Sequence, residues 1–199
     1  MRTHIFLCII KTLGTRYWFH GTDHTSALNI VKNGIDLARG KLGGDFSHGS
    51  GFYLTPDLEF ARSWSNKLMK KETCAVIVFD TKSNTGLFPE GDGIMVPTPN
   101  EEWASIVKDY RNRVNEERKT RAWLTRERQR KYIYGVMSKD GNSAKTPNWR
   151  PLPRLNVYNN SENKTEKSFE SFVMQLCIKD DFLALEFFDI SEIFVIFFK

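Results

Sequence analysis

Two short segments of the chain place histidine, tyrosine and glycine where a small ligand could be bound. Residues 17–22 read Tyr-Trp-Phe-His-Gly-Thr, and residues 51–55 read Gly-Phe-Tyr-Leu-Thr. An aromatic run ending at His20 is typical of a strand that delivers its last side chain to a site at a sheet edge. The glycine-dense residues 39–51 predict a loop that faces a ligand. Together these features predict a binding site built from two strands and a loop.

Histidine is also the commonest metal ligand, so a metal site is the first alternative to consider. His20, His24 and His48 are not joined by any cysteine or carboxylate spacing that a metal site would use. The three cysteines are widely spaced and contain no C-x-x-C pair. We therefore expect no metal and no disulfide framework, and we interpret the cysteines as small buried hydrophobic residues of a reducing compartment.

The elements that must position these segments fit one α+β domain over residues 1–199. The length suits a single core, and a composition of 40% hydrophobic residues argues against global disorder. A helix is predicted from Ala27 to Gly34, capped by Asp23 or Thr25, with Ala27, Ile30 and Val31 on one face. A second helix is predicted after Thr55-Pro56, with the threonine as its cap.

The rest of the chain divides into strands, one charged helical insertion and loops. Continuous apolar runs predict a buried central strand and further strands towards the C-terminus. Their predicted bounds are 74–79, 132–137, 171–178 and 193–198, with a short helix or turn from Asp180 or Asp181 through Leu185. The helical insertion is predicted around 102–131, and loops are predicted at 83–100 and 138–168.

The order of these motifs resembles the catalytic domain of the ADP-ribosyltransferase superfamily, in its poly(ADP-ribose) polymerase and diphtheria-toxin branch. The resemblance rests on His20-Gly21-Thr22, the glycine loop, Gly51-Phe52-Tyr53 and Ala61. It is closer still to an uncharacterised microbial and fungal family of that branch. The segments shared with that family are Asp45-Phe46, Glu102-Trp103-Ala104, Arg111-Asn112-Arg113, Tyr132 to Met137 and Gln175-Leu176-Cys177-Ile178.

The resemblance implies a split mixed and antiparallel β-sheet core with flanking helices, which binds NAD as a co-substrate without a metal. The implied cofactor-binding residues are His20, Gly21, Thr22, Gly51, Phe52 and Tyr53. His20 would bind a ribose hydroxyl, Gly21 the nicotinamide amide, and Tyr53 would stack on the nicotinamide ring. The implied activity is transfer of a single ADP-ribose to an unknown protein or nucleic-acid acceptor, with release of nicotinamide.

The implied catalytic residues are Gln175, His20 and Tyr53. Gln175 stands where the family often has a glutamate, whose charge would stabilise the developing oxocarbenium ion. A glutamine can orient the ribose through hydrogen bonds, but it carries no charge and takes up no proton. Glu186 is the second-ranked acid. A catalytically degenerate domain that binds NAD or ADP-ribose without transfer is therefore the alternative.

The charge of the chain favours one further alternative. The net charge is +5, and residues 108–131 hold ten basic against four acidic residues, a local excess of +6. A basic segment of this kind, around 102–131, could contact nucleic acid, although interspersed glutamates also fit a solvated helix face. No stretch is long enough to span a membrane. We expect a cytoplasmic protein without membrane contact, while the short apolar run at residues 5–10 leaves secretion open.

Overall fold

The computed structural model describes the chain in eight stretches that contain two β-sheets and four α-helices. The described stretches are residues 16–40, 44–47, 50–68, 73–82, 87–111, 130–139, 150–152 and 172–198. Within them the chain is mixed α and β, as the sequence predicted for an α+β protein.

The first sheet is three-stranded and antiparallel, with order β1–β3–β7. Strand β1 is Tyr17–Asp23, β3 is Cys74–Asp80 and β7 is Glu192–Phe197. All seven residues of β3 are buried, which explains the continuous apolar run of residues 74–79 and confirms the predicted central strand. Strand β7 lies at the edge, where Ile193 and Val195 pack on the core and Phe194 is exposed. Strand β7 is therefore an edge strand with one packed face.

The second sheet has four strands in the order β2–β6–β5–β4. Strand β2 is Phe52–Leu54 and pairs antiparallel with β6, Met174–Ile178. Strand β6 also pairs antiparallel with β5, Tyr132–Val136, which in turn pairs parallel with β4, Gly93–Val96. The sheet is therefore mixed, and β4 lies inside the segment 83–100 that we predicted to be a loop. That prediction was wrong because β4 has only three consecutive apolar residues, which lie between Gly93 and Pro97.

The two sheets meet where β1 approaches the end of β2. Phe19 and Thr55 form an antiparallel bridge, with Phe19 N donating to Thr55 O at 2.8 Å and Thr55 N to Phe19 O at 3.0 Å. The larger core cluster contains side chains from both sheets, among them Trp18 and Ile77 of the first and Tyr134 and Leu176 of the second. Both sheets therefore share one apolar core.

The four α-helices cover the sheets and differ in detail from the sequence prediction. Helix α1 is His24–Asn33, α2 is Leu58–Leu68, α3 is Glu101–Arg111 and α4 is Asp181–Ile190. The Asp23 carboxylate caps α1 by accepting from Ser26 N at 2.8 Å, which decides between the two predicted caps. On the predicted apolar face of α1, Ala27 is buried and Ile30 packs against the core, whereas Val31 is 41% exposed, so its place on that face was wrong.

The start of α2 and the lengths of α3 and α4 also differ from prediction. Asp57, not Thr55, caps α2, because its carboxylate accepts from Phe60 N at 3.0 Å. Helix α4 runs five residues beyond the predicted Leu185, to Ile190. Of the helical insertion predicted at 102–131, the structure describes α3 through Arg111, and residues 112–129 lie outside the described stretches. Most of the predicted loop at 138–168 also lies outside them, as do residues 5–10, Gly43 and His48.

Candidate functional site

His20 lies in the middle of β1, where it pairs with Ile77, and not at the end of the strand as predicted. Its Nδ1 lies 2.8 Å from the backbone oxygen of Tyr53, and its ring stacks on Phe52 with centroids 4.3 Å apart. A carbonyl oxygen accepts hydrogen bonds and cannot donate, so Nδ1 carries the proton and Nε2 is the acceptor. Burial lowers the pKa of His20, against the opposing effect of its hydrogen bond to Tyr53. The ring is therefore a neutral imidazole with one acceptor nitrogen.

Gly21 follows on β1, and the place of its missing side chain is taken by helix α2. A Cβ at Gly21 would lie 2.1 Å from the Ala61 backbone oxygen and 3.3 Å from Ser65 N. The Ser65 hydroxyl also donates to the backbone oxygen of Thr22 at 2.6 Å, and Thr22 is buried. The lack of a side chain at Gly21 thus allows strand β1 and helix α2 to pack closely, a role that the sequence motif does not indicate.

Gly51 and Phe52 also pack closely against neighbouring parts of the structure. A Cβ at Gly51 would lie 2.7 Å from Ser47 Oγ and 2.8 Å from Cys177 Sγ, so this glycine admits the neighbouring loop and strand β6. Phe52 belongs to the larger core cluster and makes an edge contact with Phe79. Both residues therefore pack in the interior of the protein, and the ring of Phe52 supports the stacked ring of His20.

Tyr53 points to the opposite face of β2 from Phe52, because side chains alternate along a strand. Its hydroxyl accepts from Phe46 N at 3.0 Å and lies 3.0 Å from Ser47 Oγ. Burial raises the pKa of Tyr53 well above its ordinary value, and it raises the pKa of the neighbouring Cys177 to about 12. Both groups are therefore protonated at neutral pH and act as neutral hydrogen-bonding side chains.

Gln175 lies on β6 opposite Gly135 and is 6% exposed. Its Nε2 donates to Asp45 Oδ2 at 2.7 Å. The same carboxylate accepts from Ser138 N at 2.8 Å and from Ser138 Oγ at 2.7 Å, and it forms a salt bridge with Arg111. Both side chains of that salt bridge are almost fully buried. Gln175 is thus one member of a buried polar cluster around Asp45.

Sequence reasoning gave no role to the other members of this cluster. Asp45 and Arg111 did stand in segments on which the predicted resemblance rests, but the sequence did not reveal that they form a pair. Ser138 had no such signal. The pairs Asp45–Arg111 and Asp45–Ser138 are separated by 66 and 93 residues. Contacts of that length cannot be inferred from the local pattern of one sequence.

The structure brings Tyr53 and Gln175 to one face of the second sheet. Tyr53 pairs with Cys177, and Gln175 precedes Cys177 by two residues, so the two side chains are diagonal neighbours on that face. The His20 ring lies on the side of Phe52 and contacts Tyr53 through its backbone. Glu186, the second-ranked acid, is exposed on helix α4.

The described stretches contain no cluster of His, Cys, Asp or Glu side chains that could hold a metal ion. No helix within them has the length and apolar character to cross a membrane. Comparison with models of protein families, with curated proteins and with solved structures finds no match to this chain.

Proposed function

We propose that this protein binds NAD and transfers a single ADP-ribose to a protein or nucleic-acid acceptor. The observation that carries the proposal is His20, a neutral imidazole whose Nδ1–H is bound to the Tyr53 carbonyl at 2.8 Å. This arrangement leaves Nε2 as an acceptor for a hydroxyl, which is the group that a ribose offers. The ring of Phe52 stacks on His20 and holds the imidazole in place beside this acceptor.

In the proposed reaction, the bond between the anomeric carbon and nicotinamide breaks, and its electron pair leaves with nicotinamide. The acceptor nucleophile forms the new bond to the same carbon and releases its proton to solvent. His20 orients the ribose by accepting from its hydroxyl, and Tyr53 offers a flat ring face to the nicotinamide. The two side chains lie on opposite faces of β2, so a ligand that contacts both must pass this edge strand. Gln175 contributes a neutral polar group. The rate enhancement would then come from positioning more than from a placed charge.

A protein that binds NAD without transfer is the second candidate, and the Asp45 cluster is the observation in its favour. Gln175 is uncharged, and the charge of the nearby Asp45 is offset by the buried guanidinium of Arg111. The carboxylate that usually stabilises an oxocarbenium-like state is therefore missing at this position.

The nucleic-acid alternative is weakened by the place of Arg111, which is buried against Asp45 and cannot contact phosphate. The remaining arginines of the basic segment, apart from Arg130, lie outside the described stretches.

Incubation of the protein with NAD labelled in its adenylate separates these candidates. Label on protein or nucleic acid supports transfer, and saturable binding without labelling supports the second candidate. His20→Ala removes one hydrogen bond, worth about 0.5–1.5 kcal/mol, and is expected to weaken NAD binding roughly 2- to 12-fold. His24→Ala is the matched control, because His24 bonds the Cys74 carbonyl at 3.1 Å, away from Phe52 and Tyr53.

The pH dependence of binding gives an independent readout on His20. The pKa of His20 lies below its ordinary value of 6.5, so NAD affinity is expected to be constant above that pH. It falls as the pH drops through the lowered pKa, since protonated Nε2 can no longer accept a hydrogen bond. An unchanged affinity of His20→Ala, or salt-dependent binding of nucleic acid by a protein that does not bind NAD, would refute the proposal.

A further inference from the structure

Asp45 is the centre of a buried arrangement whose donors fix the orientation of its neighbours. The carboxylate is 2% exposed and accepts from Arg111, from the backbone and hydroxyl of Ser138, and from Gln175. Four donors from three different parts of the chain meet on two oxygens. These hydrogen bonds hold the carboxylate in one orientation, so its two oxygens accept from neighbouring side chains in fixed directions.

The side-chain amide of Gln175 can meet this carboxylate in one orientation. Its NH2 group must face Asp45, as the 2.7 Å contact from Nε2 to Oδ2 requires, because the amide oxygen would face another acceptor there. The oxygen Oε1 is then turned away from Asp45. The Gln175 side chain lies on the sheet face that also carries Tyr53.

We infer that Asp45 is a positioning residue that presents the Gln175 amide oxygen as a hydrogen-bond acceptor for a ribose hydroxyl of NAD, and that position 175 is built for glutamine. This inference rests on the proposed function. A glutamate at 175 would place a second carboxylate at hydrogen-bond distance from Asp45, and two carboxylates cannot both be ionised there without strong repulsion. Glutamine avoids the repulsion and still offers an acceptor oxygen. The group at 175 therefore binds the ribose without transferring a proton.

Gln175→Glu tests the pairing without any ligand. The unfolded glutamate has a pKa of about 4.3, and the folded pair holds a shared proton to higher pH, because that proton relieves the repulsion. Between the two values the folded state binds more protons than the unfolded state, so stability falls as the pH rises. We expect the unfolding midpoint of Gln175→Glu to match that of the wild type near pH 4.5 and to decrease towards pH 8.

Two further variants give the comparison its controls. Asn29→Asp makes the same exchange of amide for acid at the surface of helix α1, where Asn29 bonds Asn33, and it is expected to lack this pH dependence. Asp45→Asn combined with Gln175→Glu removes one of the two carboxylates, so its midpoint is expected to lack the pH dependence of Gln175→Glu. It stays below that of the wild type, because an amide group in place of Oδ2 meets the Ser138 N–H. A Gln175→Glu midpoint that follows the wild type at every pH overturns the pairing.

Gln175→Met tests the presentation of the amide oxygen. Methionine has a similar volume and leaves the fold intact at some cost, but it offers no acceptor oxygen, so NAD affinity is expected to fall roughly 2- to 12-fold. If the wild type binds NAD and Gln175→Met binds it equally well, the inference is refuted and the proposed function stands. A wild-type protein that does not bind NAD overturns the proposed function itself.

Discussion

Gly21 illustrates how a single residue can satisfy a motif for a reason that the motif does not show. The space beside its Cα is filled by the Ala61 backbone oxygen, 2.1 Å from where a Cβ would stand. Backbone cannot move aside as a flexible side chain can. Gly21→Ala must therefore push helix α2 away from strand β1, and we expect a loss of about 1–3 kcal/mol in the free energy of unfolding, measured by urea denaturation.

Gly91→Ala is the matched control for this change. Within the described stretches, and apart from its two chain neighbours, no residue has a heavy atom within 4 Å of a Cβ built at Gly91. Its stability is expected to change by less than about 0.5 kcal/mol. Equal effects of the two substitutions would mean that α2 does not contact β1 as closely as the structure has it.

For single residues, the sequence predicts which ones belong to the candidate site better than it predicts which residues they contact. His20, Tyr53 and Gln175 were identified because they stand in short motifs, and the structure puts Tyr53 and Gln175 on one sheet face. The partners of Gln175 could not be predicted, since Asp45 lies 130 residues away in the chain. Local patterns record what a residue offers chemically, whereas its neighbours are decided by tertiary packing.

The start of helix α2 shows that local sequence patterns are also limited in predicting where a secondary-structure element begins. Thr55-Pro56 satisfies the local rule for a helix start, yet the Asp57 carboxylate caps the helix by accepting from Phe60 N. The hydroxyl of Thr55 instead accepts from Asp57 N at 3.2 Å. Asp57→Ala is expected to lower the free energy of unfolding by about 1 kcal/mol, the usual value of an N-cap, as measured by thermal or urea unfolding.

Glu59→Ala serves as the control for the cap, because Glu59 lies in the same first turn and is exposed. Its 4.0 Å ion pair with Arg62 is solvent-exposed, so we expect a change of less than about 0.5 kcal/mol. Should Asp57→Ala prove as mild as Glu59→Ala, the cap assignment would be wrong.

Strand β4 marks the point at which element prediction failed altogether. Gly93–Val96 is stabilised by parallel pairing with β5, which lies almost forty residues further along the chain. The segment has too few apolar residues to predict a strand by itself. By contrast, β3 was predictable because its burial on both faces makes the whole run apolar.

The whole molecule depends on the core that both sheets share, and this leads to a prediction about cooperativity. Leu176 of the second sheet is fully buried in the same cluster as Trp18 and Ile77 of the first. Removing its side chain therefore weakens the packing of both sheets. Leu176→Ala is expected to lower the free energy of unfolding by about 2–5 kcal/mol.

Because the core is shared, the loss should appear in a single transition. Tryptophan fluorescence and far-ultraviolet circular dichroism are expected to give coincident unfolding curves for the wild type and for Leu176→Ala. Leu185→Ala is the control, since Leu185 is 57% exposed on helix α4 and its removal leaves no cavity. Two separated transitions, with Leu176→Ala shifting one of them, would show that the sheets fold independently. In that case the packing between the sheets would not hold His20 of the first sheet and Gln175 of the second in a fixed arrangement.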